Sequence, residues 1–298
     1  MKRLRIAVLM GGPSAEREVS LQSGKMVAEA LRPSGAIVIP VVVEGPEFAV
    51  PANTDVAFIA LHGTFGEDGQ IQRILEERGV TFTGSDTEAS ARAFDKSVAK
   101  EDFLAAGIPT PATFDELSEV KFPVVVKPAR QGSSVGITVV RHREELAAAC
   151  AKARSFDERI VIEQFIRGRE LTVGILGNRE LPIVEIRTPS GFFGYHEKYT
   201  AGAAEEVVPA PLDSMLTIQT QRYARLAHER LGCRDFSRVD LMLSDRGELF
   251  VLEVNTIPGM TQNSLLPKAA KAARIEMTDL CVRMVEMALA RRPAGVPA

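Results

Sequence analysis

The sequence has little cysteine, no tryptophan and no long apolar run. Its 298 residues include three cysteines, Cys150, Cys233 and Cys281, which lie far apart and form no Cys-x-x-Cys pair. This spacing argues against a disulfide framework and against a zinc site, and it predicts small buried hydrophobic residues. With 45% hydrophobic and 25% charged residues, the composition is that of a globular protein without a membrane-spanning helix.

The charge balance excludes further classes of function. The net charge is -3, and lysine and arginine are spread along the chain, so no basic patch indicates nucleic-acid binding, whereas small anionic ligands fit. Residues 1–5 are basic and residues 6–10 apolar, but Gly11-Gly12-Pro13 ends this run too early for a signal peptide. We therefore expect a cytoplasmic protein.

The common phosphate-binding motifs are missing as well. The chain contains neither Gly-x-x-x-x-Gly-Lys-Ser/Thr nor a strand-Gly-x-Gly-x-x-Gly-helix unit, so a bound nucleotide would be held in another way. Among the four histidines, His142, His196 and His228 have no partner pattern and are predicted to lie at the surface.

Strand-like and helix-like segments alternate from the first residues, which predicts an α/β fold. A breaker at residues 107–111 separates two units, and residues 189–211 are predicted to form a long loop. The predicted strands are residues 4–10, 36–43, 56–61, 122–127, 137–140, 159–164 and 170–176, with a hairpin over 238–254. The predicted helices are residues 18–31, 70–78, 87–106, 143–153, 214–231 and 278–291.

The hairpin is the strongest chemical signal. Alternate residues of a strand share a face, so Arg238 and Asp240 point together, as do Glu253 and Asn255. If the loop between the two strands has an even number of residues, cross-strand pairing places all four on one side. Two carboxylates and an amide oxygen favour Mg²⁺ over zinc, and Arg238 would stabilise charge on a reacting oxyanion. The alternative is a half-exposed hairpin with solvated charges.

A second signal indicates a nucleotide. Lys127 ends an apolar strand and precedes the Gly/Ser loop 132–136. Such a lysine can hold a phosphate while the N–H groups of the loop cover it. The alternative is that the loop is an ordinary turn. Residues 163–166 and Glu170 would bind adenine through the backbone and ribose through a carboxylate, or form an edge strand with surface acids. Lys96, in a helical stretch, has the pattern of a solvated lysine.

Four longer motifs are spread along the chain. They are Gly11-Gly12-Pro13-Ser14-Ala15-Glu16-Arg17-Glu18-Val19-Ser20, His62-Gly63-Thr64-Phe65-Gly66-Glu67-Asp68-Gly69, Gly132-Ser133-Ser134-Val135-Gly136 and Asn255-Thr256-Ile257-Pro258-Gly259-Met260-Thr261. Together they resemble the D-alanine:D-alanine ligase family of the ATP-grasp superfamily, in family order over essentially the whole chain. The resemblance implies three domains: a Rossmann-like N-terminal domain over 1–94, a central α+β ATP-grasp domain over 95–178, and a C-terminal ATP-grasp domain over 179–298 that carries the metal and catalytic residues.

The resemblance also implies a role for individual residues. Those implied to bind ATP are Lys96, Lys127, Ser133 and Ser134 at the phosphates, Glu163, Gln164, Phe165 and Ile166 at the adenine, and Glu170 at the ribose. Those implied to bind two Mg²⁺ or Mn²⁺ ions per subunit are Asp240, Glu253 and Asn255, with Glu253 bridging. For the amino acids, the resemblance implies that Glu16 binds the first ammonium with His62 nearby, and that Ser264 and the Leu265 N–H bind the second carboxylate. It also implies that Arg238 and the Gly259 N–H stabilise the oxyanion, and that Lys198 and Tyr199 close the site.

The implied reaction joins two D-alanine molecules through an acyl phosphate and yields D-alanyl-D-alanine, ADP and phosphate for peptidoglycan precursors, in a homodimer. The sequence departs from the family pattern in two places. Segment 191–199 is about one residue shorter than the pattern, so Tyr195 is an alternative to Tyr199 as the tyrosine that closes the site. Ile257 stands where the family has a small polar residue. Family members that make D-alanyl-D-lactate tend to differ at the tyrosine, so Tyr199 favours the dipeptide. The alternatives are a ligase for D-serine or another dipeptide, and a non-catalytic nucleotide-binding module.

Overall fold

The computed structural model describes residues 3–115, 120–188 and 204–291. In these ranges the strands form a three-stranded, a four-stranded and a six-stranded sheet, with helices packed on them. The predicted α/β class is confirmed.

The N-terminal unit is a parallel sheet in the order β2-β1-β3. Its strands are β1 (Arg5–Gly11), β2 (Ile37–Val43) and β3 (Val56–Ile59). The helix α1 (Arg17–Leu31) connects β1 to β2, and α2 (Gln70–Glu77) follows β3. Every residue of β3 and all but the first of β1 are buried, which explains their continuous apolar sequences, because strands of a parallel sheet are covered on both faces. The predicted Rossmann-like arrangement is confirmed here.

The single helix predicted over 87–106 is wrong. The chain forms α3 (Thr87–Phe94) and α4 (Lys96–Ala105), with Asp95 in an extended conformation between them. The Asp95 carboxylate accepts hydrogen bonds from Ser97 N–H and Val98 N–H, an N-cap that competes with continuing the previous helix. Lys96 therefore begins α4.

The second sheet is antiparallel, in the order β4-β7-β5-β6. Its strands are β4 (Thr113–Phe114), β5 (Val124–Pro128), β6 (Thr138–Val140) and β7 (Ile160–Gln164), and α5 (Arg143–Arg154) packs on them around a separate apolar core. β7 lies between β4 and β5. The edge-strand alternative for residues 163–166 is therefore wrong.

The third sheet has the order β11-β10-β8-β12-β13, with β9 paired to β8. The strands are β8 (Gly168–Leu176), β9 (Arg179–Glu180), β10 (Val184–Arg187), β11 (Glu205–Val207), β12 (Phe236–Ser244) and β13 (Leu249–Asn255), and α6 (Ser214–Arg230) covers β8, β12 and β13. The short β9, β10 and β11 were not predicted, and β11 interrupts the predicted loop 189–211.

The N-terminal and third sheets share one apolar core. α7 (Leu265–Ala272) and α8 (Met277–Ala290) lie between them, so that Met284 of α8 belongs to the same buried cluster as Val8 of β1 and Phe236 of β12. These two sheets are thus one packed body.

Predictions for two residue types have opposite outcomes. All three cysteines are buried, as expected. His228, predicted at the surface, is only 4% exposed; its Nδ1 lies 2.7 Å from Ser237 Oγ, and burial lowers its pKa to about 4. In the part of the chain that the structure describes, no helix is long and apolar enough to cross a membrane.

Candidate active site

Two adjoining cavities open between the three sheets. The smaller cavity is lined by most of the residues predicted at ATP, namely Lys96, Lys127, Ser134, Glu163, Gln164, Phe165, Ile166 and Glu170, and also by Asp240 and Glu253. The larger cavity is lined by Glu16, His62, Lys96, Ser133, Arg238, Glu253, Asn255, Gly259, Ser264 and Leu265. Lys96 and Glu253 belong to both walls, so a group bound in one cavity faces the other across these two side chains.

Lys96 is fixed where the cavities join. Its Nζ donates to Gln131 O at 2.8 Å and lies 3.2 Å from Glu253 Oε2. Although it is charged, Lys96 is only 7% exposed, so the reading as a solvated lysine is wrong. A buried ammonium beside a carboxylate and a loop carbonyl is well placed to meet a phosphate.

Lys127 is one of two lysines that share a single buried carboxylate. Glu163 Oε1 lies 2.6 Å from Lys127 Nζ, and Glu163 Oε2 lies 2.8 Å from Lys100 Nζ. Burial alone would raise the pKa of Glu163, but the two lysines hold it below its ordinary value. No role was predicted for Lys100; its spacing of four residues from Lys96, on one helix face, was the available signal.

The hairpin carries its four polar residues on one face. Arg238 pairs with Asn255, and Asp240 pairs with Glu253, because the register shifts between Asp240 and Leu241 and leaves Leu252 as an extra residue in β13. Arg238 binds Asp240 in a two-point contact, with Nε to Oδ1 at 2.9 Å and Nη2 to Oδ2 at 2.7 Å, and Thr172 Oγ1 donates to Asp240 Oδ1 at 2.6 Å. Asp240 is 6% exposed, so the alternative of solvated charges fails for it.

The oxygen atoms of this face suit a hard cation. Asp240 and Glu253 offer carboxylates, and Asn255 offers an amide whose Oδ1 also accepts from Ile257 N–H at 2.9 Å, which fixes its orientation. Within the described ranges, no cluster of three or more His, Cys, Asp or Glu residues is arranged to hold a metal. The donor set fits Mg²⁺, which keeps several ligands from water and phosphate.

The Glu16 carboxylate sits in a slot between two glycines. A methyl group on Gly63 would lie 2.6 Å from Glu16 Oε2, and one on Gly132 would lie 2.5 Å from the same atom. Glu16 precedes α1 but makes no cap bond to it; instead it accepts a hydrogen bond from Ser133 Oγ. Ser133 and Ser134 have φ values of 51° and 57°, so this loop is a sharp left-handed turn that brings its first serine to Glu16.

His62 follows β3 and is held by groups from distant segments. Its Nδ1 lies 3.0 Å from Ile257 O, and its Nε2 lies 2.9 Å from Ser23 Oγ. Because a carbonyl can only accept, Nδ1 carries the proton, and Nε2 then accepts from the Ser23 hydroxyl in the neutral ring. The buried His62 thereby joins α1 to the loop that carries Gly259.

Glu67 also lines the larger cavity, and no role was predicted for it. Its Oε1 lies 3.5 Å from His62 Nδ1. Burial raises the pKa of Glu67 to about 7, against the lowering effect of His62, and the nearby Glu16 raises it further. The position of Glu67 in the His62 motif was the available signal.

Ser264 and Gly259 face each other at the far end of the larger cavity. Ser264 precedes α7, but its Oγ bonds to Thr261 N–H at 3.0 Å and to Thr261 Oγ1 at 2.8 Å and caps no N–H of the helix. The first-turn N–H groups of a helix attract carboxylates. A methyl group on Gly259 would lie 2.7 Å from Ser264 Oγ. Lys198, Tyr199 and its competitor Tyr195 lie outside the described residues.

Two family models match the chain. The model described as D-ala D-ala ligase C-terminus covers residues 105–286, and D-ala D-ala ligase N-terminus covers residues 44–85. Curated relatives named D-alanine--D-alanine ligase include those of Methylacidiphilum infernorum, 46% identical over 96% of both chains, and Citrifermentans bemidjiense, 45% identical over 97% of both.

Solved structures agree with the family models. The D-alanine--D-alanine ligase of Bacillus anthracis complexed with ATP is 32% identical and superposes with a TM-score of 0.84 over 96% of this chain and 98% of its own. The VanG D-Ala:D-Ser ligase of Enterococcus faecalis is 30% identical with a TM-score of 0.84 over 96% and 100%. The protein belongs to the D-alanine:D-alanine ligase family.

Proposed function

We propose that the protein joins two D-alanine molecules into D-alanyl-D-alanine, with ATP converted to ADP and phosphate, for peptidoglycan precursor synthesis. The observation that carries this proposal is the meeting of the two cavities at Lys96 and Glu253. A nucleotide in the smaller cavity would present its terminal phosphate to an amino acid in the larger one. Proximity of this kind is the main requirement of phosphoryl transfer.

In the first step, a carboxylate oxygen of the first D-alanine attacks the γ-phosphorus and ADP leaves, which forms an acyl phosphate. Glu16 would hold the ammonium of this substrate in the slot between Gly63 and Gly132. Lys96 and Lys127 would offset the negative charge of the phosphates. Ser133 holds Glu16 in place through its hydroxyl.

In the second step, the amine of the second D-alanine attacks the acyl carbon, the carbon–oxygen bond to the phosphate breaks, and phosphate leaves with the proton that the nitrogen loses. Ser264 and the Leu265 N–H would bind the carboxylate of this substrate. Arg238 and the Gly259 N–H would stabilise the oxyanion that forms; the two-point contact with Asp240 keeps the guanidinium of Arg238 in place.

Asp240, Glu253 and Asn255 would hold Mg²⁺ or Mn²⁺, two ions per subunit. A bound ion supplies positive charge that orients the phosphates and stabilises the transferring group. Removal of divalent cations with a chelator is expected to stop phosphate release, and added Mg²⁺ to restore it.

Further parts of the proposal concern the whole protein. Lys198 and Tyr199 would close the site and keep water from the acyl phosphate, and the chain would act in the cytoplasm as a homodimer. We also propose three domains over 1–94, 95–178 and 179–298, with β8 at the end of the second domain pairing with β10 and β12 of the third.

The substrate is tested by phosphate release with D-alanine, L-alanine, D-serine and D-lactate, alone and in pairs, with product identification by mass spectrometry. We expect release with D-alanine alone and D-alanyl-D-alanine as product. One of the similar solved structures is named as a D-Ala:D-Ser ligase. The critical comparison is therefore between D-alanine alone and a mixture of D-alanine and D-serine. Activity with L-alanine only, or a mixed dipeptide as the main product, would contradict the proposal.

A further inference from the structure

Lys100 lies behind the smaller cavity and has no role in the reaction described so far. It is 2% exposed, and its Nζ contacts Glu163 Oε2 at 2.8 Å and Thr110 Oγ1 at 2.9 Å. Glu163 is 3% exposed and Lys127 5%. Glu163 and Lys127 line the cavity, whereas Lys100 is not part of its wall. The carboxylate of Glu163 thus joins a lysine at the cavity to a lysine behind it.

The charges of this cluster do not cancel. Two ammonium groups share one carboxylate, so Lys100, Glu163 and Lys127 together carry a net charge of about +1 when all three are ionised. Burial lowers the pKa of Lys100, and the like charge of Lys127 lowers it further, whereas Glu163 opposes both. A buried ion pair between Glu163 and Lys127 alone would be neutral and would compete with an anionic ligand for the Lys127 ammonium. The second lysine divides the carboxylate between two partners and leaves positive charge beside the cavity.

We propose that Lys100 is a positioning residue for ATP. Acting through Glu163, it holds Lys127 at the wall of the cavity and supplies the positive charge that lets Lys127 serve both Glu163 and a phosphate. The inference rests on the proposed function in one respect, that the ligand of the smaller cavity is ATP. It concerns nucleotide binding and is independent of which amino acids are joined.

The test compares Lys100→Met with the double variant Lys100→Met/Glu163→Gln. Methionine keeps most of the length of lysine without its charge, so the single variant leaves Glu163 facing Lys127 alone. We expect the KM for ATP to rise about tenfold or more, corresponding to 1.4 kcal/mol per factor of ten, while kcat at saturating ATP and the KM for D-alanine change less than about twofold. In the double variant the net charge is restored, and glutamine keeps the backbone groups of residue 163 through which adenine is proposed to bind. The KM for ATP should therefore return to within about threefold of the wild type.

A purely structural role predicts the opposite order. The double variant loses a further buried contact, so it would bind ATP no better than the single variant and would be less stable. Lys25→Met, an exposed lysine on α1, is the matched control for the loss of one positive charge and should keep the wild-type KM. Binding of ADP without amino acids, measured by calorimetry, decides the matter if turnover of a variant is too low.

Three outcomes overturn the inference. They are an unchanged affinity of Lys100→Met for ADP, a double variant that binds as weakly as the single one, and a control variant as impaired as Lys100→Met. Failure of the wild type to form dipeptide while it binds ADP contradicts the proposed function alone, because the comparison of nucleotide affinities among the variants still stands.

Discussion

At the scale of residues, short contacts determine what the larger cavity can bind. The Glu16 carboxylate fits only because Gly63 and Gly132 lack side chains. Alternation predicted that Arg238 and Asp240 share a face, as do Glu253 and Asn255. The pairing of Asp240 with Glu253 also depends on the register shift after Asp240, which the sequence pattern does not show. The contacts of Glu163 with Lys100 and Lys127 could not be predicted, because they join β7 to α4 and β5, and sequence periodicity does not show which elements meet.

Gly132→Ala tests the slot around Glu16. Its methyl group would come within 2.5 Å of Glu16 Oε2 and would displace the carboxylate or the loop. We expect the KM for the first D-alanine to rise about tenfold or more. Gly45→Ala is the control, since a methyl group there meets no atom within 4 Å. Equal KM values for Gly132→Ala and the wild type would show that the slot does not hold Glu16.

The carboxyl of Glu67 predicts a pH dependence of stability. The folded chain keeps this proton up to a pKa of about 7, whereas the unfolded chain loses it near 4.5. The folded state therefore binds more protons between these values, and the free energy of unfolding falls as pH rises from 4.5 to 7, by up to about 3 kcal/mol. Glu67→Gln removes this fall in the free energy of unfolding. Urea unfolding near pH 5 and near pH 8 should show a gain for the variant at the higher pH; identical pH profiles would contradict the raised pKa.

At the scale of elements, the start of α4 places Lys96. Asp95 starts α4 and so fixes Lys96, and it also accepts a hydrogen bond from Arg159 Nη1 at 2.8 Å. α3 and α4 were predicted as one helix because both share helical periodicity, although Asp95 is a residue type typical of a helix start. α7 and the short β9 to β11 were missed because segments of a few residues carry too little pattern.

Asp95→Ala should affect both stability and nucleotide binding. Loss of the N-cap costs about 1 kcal/mol or more, and the freed start of α4 should raise the KM for ATP severalfold because Lys96 moves with it. Asp86→Ala is matched to it, since Asp86 caps α3 by accepting from Ala89 N–H at 2.9 Å. The control should lose similar stability in thermal unfolding without a change in KM. If both variants alter the KM equally, the cap of α4 has no special part in ATP binding.

At the scale of the whole molecule, the cores define which parts unfold together. β1, β12 and α8 contribute to one cluster, whereas Val124, Leu146 and Ile162 belong to a separate core around the second sheet. The resemblance implies three domains in succession along the chain. It did not show that the first and last parts of the chain share a core, because such packing depends on contacts between distant segments.

Hydrogen exchange in rising urea should resolve these units. We expect peptides from β1 and β12 to lose protection at the same urea concentration, and peptides from β5 and β7 to lose it earlier, since a small separate core buries less apolar surface. Mass spectrometry of the exchanged peptides gives the order. Loss of protection in β1 well before β12 would contradict the shared core.

The central claim is that an amino acid in the larger cavity receives the phosphate of ATP from the smaller one. The most direct measurement uses D-alanine labelled with ¹⁸O in its carboxyl group, followed by mass spectrometry of the released phosphate. The acyl phosphate route predicts one ¹⁸O atom in the phosphate for each dipeptide formed, because the attacking carboxylate oxygen leaves with the phosphate. Dipeptide formation with unlabelled phosphate would contradict the account.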